Sequence, residues 1–392
     1  MSSLAASKTT AGRYYRPELD VVRFLAFTFV FLGHTLPTDP DSRIANVLGR
    51  AAPILYVSAR ACKFGLSLFF ALSAFLICEL LIRERETVGT VGVVQFYIRR
   101  ILRIWPLYYL GVALGTMFAF LPDGHPSDLV RMGWLAIFMG SWMAAIHGPI
   151  SNPAGPLWSI SVEEQFYLFA PWIVKYFNRK SLYGFCCLLF LVSNAQLYYL
   201  GRLSATDSRI WADAFVQFQC FAAGILLCLI LRGRLPRIAV WKRLSLLAGT
   251  WLCWFCSCFG LHSSFNRNNN PGGWSLIGGY ALGSLGSVLL LVAFLGVNPK
   301  LLPGWAIYLG RISFGLYVYH EFAMYLTNHV LFGHLATIAS PILFLKAGSE
   351  FGLTVLMATL SYRYYEKPFL KLKKRHTVVE SEPIGALAHR SH

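Results

Sequence analysis

Arg23 and His34 stand eleven residues apart inside the first apolar stretch of the chain, LDVVRFLAFTFVFLGH. Ionisable groups in a bilayer are costly and normally face a bundle interior or a watery cavity, which makes this pair functional candidates by default. Eleven helical residues rise roughly 16 Å, about half the hydrocarbon thickness. The pair can therefore link one membrane face with chemistry placed deeper. A histidine, whose ordinary pKa lies near neutrality, is suited to moving a proton there.

Four more segments carry residues of this kind. In FYIRRILRIWPLYYL, Arg99, Arg100 and Arg103 approach one helix face through their three- and four-residue spacings. They fit two roles, a snorkelling boundary cluster or a grip on phosphate oxygens by planar guanidinium groups. In GPLWSISVEEQFYLFAPW, Glu163 and Glu164 are adjacent near the start of an apolar run. One can cap the helix and offset its dipole while the other points into the bundle. Trp158 and Tyr167 are hydrogen-bond donors close by in sequence. ISFGLYVYH places His320 within a further apolar stretch, where it can serve chemistry or bond a neighbouring helix. In LSYRYYEKPF, Arg363 and Glu366 are three apart, which fits a local ion pair or a partner for the other arginines.

The elements that must position these groups are membrane helices. Of 392 residues, 56% are hydrophobic, 15% aromatic and only 14% charged. A soluble domain carries nearly twice that charged fraction, about 25%. Apolar residues come in long blocks, giving expected spans near 19–36, 63–82, 98–121, 160–176, 181–200, 212–231, 243–261, 274–296, 307–330 and 338–361. The stretch 130–146 is short for a crossing. If it does not cross, the main positive clusters fall on one side, so the positive-inside rule predicts about ten helices with both termini cytoplasmic. The net charge of +17 then needs no nucleic acid to explain it. The first span lacks a cleavage site, and the ends, 1–14 and 376–392, read as disordered tails. All nine cysteines lie in or beside apolar segments. The Cys253, Cys256, Cys258 spacing lacks a nearby histidine cluster, so no metal is expected there. Small residues Gly65, Ser67, Ser73 and Ala74 suit close helix packing.

In order, LDVVRFLAFTFVFLGH, FGLSLFFALSAFLI, FYIRRILRIWPLYYL, WSISVEEQFYL, SFGLYVYH and YYEKPF resemble the motifs of acyltransferase family 3, bacterial membrane enzymes that O-acylate glycans and some secondary metabolites. The resemblance runs from about residue 16 to 370, leaving a short N-terminal tail and a basic, then disordered, tail from 371. Val21, Ser67 and Ala74 depart from the family's commoner glycine, aspartate and glycine, while the Arg, His and Glu positions are kept.

The resemblance implies an all-α polytopic enzyme of the inner membrane. It would move an acyl group, acetyl from acetyl-CoA, to a hydroxyl of a sugar, other glycan or secondary metabolite. Arg99, Arg100 and Arg103 would hold the CoA phosphates, with Arg23 deeper along the path. His34 would act as general base, oriented by Glu163 or Glu164. Trp158, Tyr167, His320, Arg363 and Glu366 are candidates for substrate contacts. A transporter using the same intramembrane charges for ion or proton coupling is the alternative, against which stands the lack of repeated halves.

Overall fold

The computed structural model describes residues 14–36, 52–121, 124–261, 272–332, 340–377 and 379. The N-terminal tail to residue 13 and the tail from 380 lie outside these. The described residues are all-α, with no strand among them.

Helix α1 (Pro17–Thr35) opens with proline at its first position and Glu18 and Asp20 in its first turn, and carries His34 in its last. This is the arrangement that the helix dipole favours. After α2 (Ala52–Cys62) comes α3 (Gly65–Val88), which stops at Gly89. That residue has φ +83° and returns its amide to the Arg85 carbonyl, a left-handed cap that glycine adopts without steric cost. Helix α4 (Val93–Phe118) then leads to α5 (Ser127–Ala136) and α6 (Gly140–His147). These two short helices, roughly 15 and 12 Å long, occupy the stretch 130–146, which accordingly forms no single crossing helix.

The remainder comprises α7 (Trp158–Tyr176), α8 (Arg179–Arg202), α9 (Asp207–Ala212), α10 (Ala214–Leu231), α11 (Val240–Phe255), α12 (Gly272–Phe294), α13 (Gly304–Arg311), α14 (Ser313–Leu326), α15 (Ser340–Ser361) and α16 (Lys367–Lys374). The expected span 307–330 is thus broken at Ile312, between α13 and α14. Among the described residues, five helical segments are long and apolar enough to cross a membrane: Ile54–Val88, which takes in most of α2 with α3, Val93–Phe118, Arg179–Arg202, Ala214–Leu231 and Gly272–Phe294. The protein is a multi-pass membrane protein. Helices α1 and α7 are less apolar because they carry Glu18, Asp20 and Arg23, or Glu163, Glu164 and Lys175. They also bear half of the candidate residues, Arg23 and His34 on α1 and Trp158, Glu163, Glu164 and Tyr167 on α7.

One end of the bundle is basic, and its arginines close helix ends. Arg85 donates to the Val174 and Phe177 carbonyls at 2.5 and 2.8 Å, at the end of α7. Arg243 does the same for Ala293 and Leu295 at the end of α12, at 2.5 and 3.0 Å. Arg179 bonds the Leu229 carbonyl near the end of α10. The last carbonyls of a helix lack intrahelical donors, and cations there also meet the negative end of the dipole. Helices α1 and α4 start at this same end, where Arg83 lies over the Tyr14 ring and Arg99 pairs with Glu84 of α3.

Helix α3 packs against α1, α7, α10 and α12. It approaches α10 so closely that a Cβ on Gly224 would overlap the Ala71 carbonyl oxygen. Small residues permit this kind of contact between membrane helices. Rings fill the space alongside, Phe221 stacking on both Phe70 and Phe166 at 5.0 and 4.5 Å. Gly224→Leu is expected to lower the melting temperature in detergent and the yield of monodisperse protein. Gly184→Leu, at a position with no neighbour within 4 Å of an added Cβ, leaves both unchanged. Equal melting curves for the two variants would contradict this packing.

Candidate active site

A cavity of about 250 Å³ opens among α1, α3, α4, α7, α14 and the chain after α15. Along α3 its wall runs from Leu66 to Glu84, eighteen residues or roughly 27 Å, close to the ~30 Å hydrocarbon thickness. Arg16, Arg99, Lys373 and Lys374 line it at the basic end. Arg23, Arg100 and Arg103 line it further along, with Glu163, Tyr167 and Glu366. Ser159 and Tyr317 also line it, and their hydroxyls stand 2.6 Å apart. The Pro156 carbonyl accepts from both, at 3.0 Å each.

The arginines differ in how they are held. Arg23 donates to Asp20 of its own helix at 2.5 Å. Asp20 also accepts from the Tyr15 hydroxyl at 3.1 Å and faces Arg311 at 4.0 Å. Arg99 divides its guanidinium between Glu84 at 2.8 Å and the His376 carbonyl at 2.9 Å. Arg100 lies over the rings of Phe96 and Tyr167 at 5.5 and 5.6 Å, and its buried Nε has no hydrogen-bond partner. Arg100 and Arg103 have no carboxylate within 4 Å among the described residues.

The two adjacent glutamates diverge, as consecutive helical positions must. Glu163 accepts from the Tyr167 hydroxyl at 3.1 Å, and that hydroxyl also bonds Ser73. Glu164 turns away to the Trp105 indole, which donates at 3.2 Å. Neither caps α7, because the helix starts at Trp158 and no acidic residue falls in its first turn. Neither touches His34.

The carboxylate at His34 is Glu321, with Nδ1 and Oε1 2.6 Å apart. Beside them His320 is fully buried, its ring centroid 5.3 Å from that of His34. His320 Nδ1 bonds the Tyr317 carbonyl at 2.6 Å, and its Nε2 lies 4.0 Å from Glu321. Tyr317 thus faces the cavity with its hydroxyl and backs onto the histidine pair with its carbonyl. His34, His320 and Glu321 are also a group among the described residues that could hold a metal ion. Two ligands of one tetrahedral zinc stand about 3.3 Å apart for bonds of ~2.0–2.1 Å. His34 and Glu321 are closer than that, so as arranged they form a hydrogen-bonded dyad.

Other expected contacts fall differently. Arg363 is exposed and Glu366 buried. The segment Tyr362–Glu366 is π-helical, and its wider turn takes residues three apart off a common face. Glu366 lines the cavity, with the Ser361 hydroxyl at 3.3 Å, whereas Arg363 does not line it. Trp158 packs against the core and also does not line the cavity. Asp20 and Glu321 escaped the sequence reading. Each was open to the rule that singled out His34, an ionisable residue within or beside an apolar run, and Asp20 stands one helical turn from Arg23.

The family model for the acyltransferase domain, of the family 3 type, matches residues 16–361. The chain belongs to acyltransferase family 3. Curated relatives include the O-acetyltransferase OatA of Staphylococcus aureus strains NCTC 8325 and COL, each 24% identical over 333 residues. Those matches take in 78% of this chain and 52% of each relative. The chain thus spans about half the length of the curated relatives it matches. No solved structure matches it.

The cavity of this family 3 chain can be tested without any assay of function. In a background lacking the nine native cysteines, Ser73→Cys is expected to react with an anionic water-soluble thiol reagent. It should react faster with that reagent than with a cationic one of the same size. Glu164→Cys is expected to stay unmodified. Equal labelling of the two positions would contradict the divergence of the glutamate pair and the course of the cavity.

Proposed function

We propose that this protein is an integral membrane O-acyltransferase that takes an acyl group, acetyl from acetyl-CoA, and delivers it to a hydroxyl of a sugar, other glycan or secondary metabolite. The proposed enzyme occupies residues 16–370 in the cytoplasmic membrane, with both termini and the basic end on the cytoplasmic side. The observation that carries this reading is the single cavity that is basic at one end and reaches Tyr317, behind which lie His320 and the His34–Glu321 dyad.

In this reading Arg100 and Arg103 meet the donor's anionic part, while Arg23, already balanced by Asp20, orders the path beyond them. The flexible thioester arm extends towards Ser159 and Tyr317. Separation of their hydroxyls would join the thioester to the His34 side. There the acceptor oxygen attacks the carbonyl carbon and forms the new ester bond as the carbon–sulfur bond breaks. His34 takes the hydroxyl proton and returns it to the departing thiolate, which leaves as a thiol. Glu321 is the positioning residue: it fixes the imidazole and offsets the positive charge that forms on it. Glu163 and Glu366 would instead work within the cavity, where they face the arginines.

His34→Ala is expected to keep the affinity for acetyl-CoA within about threefold and to lose roughly 10²–10⁴ in turnover, the usual contribution of a general base. Glu321→Gln should lower turnover by less than His34→Ala. Arg100→Ala should weaken acetyl-CoA binding at least about tenfold, the scale of a lost charge-assisted hydrogen bond. Calorimetry and thioester consumption on purified protein in lipid discs check all three, with melting curves as the folding control. Failure of the intact protein to bind acetyl-CoA would contradict the proposal.

A further inference from the structure

His320 is 0% exposed, yet only one of its ring nitrogens is satisfied. Its Nδ1 stands 2.6 Å from the Tyr317 carbonyl oxygen. A carbonyl oxygen only accepts, so Nδ1 carries the proton of the neutral ring and Nε2 is left as a bare lone pair. That Nε2 is buried and has no hydrogen-bond partner among the described residues. Buried acceptors are normally satisfied, and leaving one without a donor is costly. The group it faces is the Glu321 carboxylate, 4.0 Å away, which when ionised is an acceptor too.

A cation is the partner that several lone pairs can share. One ligand atom each from His34, His320 and Glu321 lie within 4.8 Å of one another. Two imidazoles and a carboxylate are a donor set that zinc takes with a fourth position left open. Magnesium and calcium prefer oxygen alone. Behind His320, the Tyr317 carbonyl holds the ring by its other nitrogen, as the outer partners of metal-binding histidines do. Phe27 meets the same ring edge-on at 6.2 Å, which fixes its plane. The side chains of His34 and Glu321 are 41% and 27% exposed, so an ion can enter at the end of α1 away from the basic end.

We propose that His34 Nδ1, His320 Nε2 and the Glu321 carboxylate bind one divalent transition-metal ion of the Zn²⁺ type, and that its binding switches His34 off. At 2.6 Å, His34 and Glu321 share a proton. Two ligands of one zinc stand about 3.3 Å apart, so the ion takes the proton's place and the dyad opens by about 0.7 Å. The displaced proton moves from Nδ1 to Nε2 of the same ring. Nε2 is the nitrogen left to accept a proton from the acceptor hydroxyl, and once protonated it cannot. The ion is thus a competitor for the dyad and takes no part in the transfer. The site stands on the geometry alone, whereas the inhibition rests on His34 being the base, as read above.

The test is Zn²⁺ calorimetry on the full chain in lipid discs, with thioester consumption followed in the same samples. The intact protein is expected to bind one Zn²⁺ in the micromolar range or tighter and to lose turnover in step with binding. A chelator should restore turnover. His34→Ala and His320→Ala should each bind at least about tenfold more weakly, the lower end of what disturbing the surroundings of a metal costs. Melting curves without Zn²⁺ are the folding control, and His34, at a half-exposed helix end, is the replacement the fold tolerates best. No binding by the intact protein refutes the site and leaves the proposed function untouched. Equal binding by all three proteins, an adventitious ion only, does the same. If both variants lose the ion but Zn²⁺ leaves the turnover of the intact protein unchanged, the site stands and His34 as base falls.

Discussion

The cost of keeping charge inside an apolar bundle governs the organisation of this protein. A charge taken out of water must be paired, hydrogen-bonded or left beside a water-filled space. Several of the ionisable side chains in the bundle meet this by pairing. Arg23 has Asp20, Arg83 has Glu79, Arg99 has Glu84 and His34 has Glu321. Among the described residues Arg100 and Arg103 have no such partner, and both line the cavity. On the proposed reading, the unpaired arginines are where an anion would be received and the His34–Glu321 pair is where a proton would be handled.

The same constraint shapes the basic end. Arginines there satisfy the final carbonyls of α7, α10 and α12, so the clusters read from the sequence as a topology signal also stabilise α7, which lines the cavity, and the two helices α10 and α12 that pack against α3. Helix α3 ties the parts together. It supplies Ser73 to the Tyr167–Glu163 chain, Glu84 to Arg99 and the close approach to α10. A disturbance along α3 would be felt at the mouth, in the wall and in the core.

Much of the fold was legible because hydropathy and charge are local signals. Long apolar blocks give helices, and Arg23, His34, Glu163 and His320 stand out against them. What stayed hidden depends on contacts distant in sequence or on small changes of helical register. No spacing rule joins His34 of α1 to Glu321 of α14, so Glu163 and Glu164 stood as the orienting carboxylates by position alone. Their divergence, one to the cavity and one to Trp105, follows from the rotation between neighbouring helical residues. The separation of Arg363 from Glu366 depends on a π-helical turn that a pattern of threes and fours does not reveal. The return of Lys373 and Lys374 to the cavity mouth was likewise hidden, because a run of lysines after a final span reads equally well as a solvated tail.

On the proposed reading, donor and acceptor meet across the membrane, through one cavity entered at its basic end. Sidedness in sealed vesicles tests it most directly. Protein is reconstituted in a known orientation, with acetyl-CoA and a membrane-impermeant hydroxyl acceptor confined to chosen sides. Transfer is expected when acetyl-CoA faces the basic end and the acceptor faces the His34 end, and none in the reverse arrangement. Transfer that requires both on the same side would contradict it.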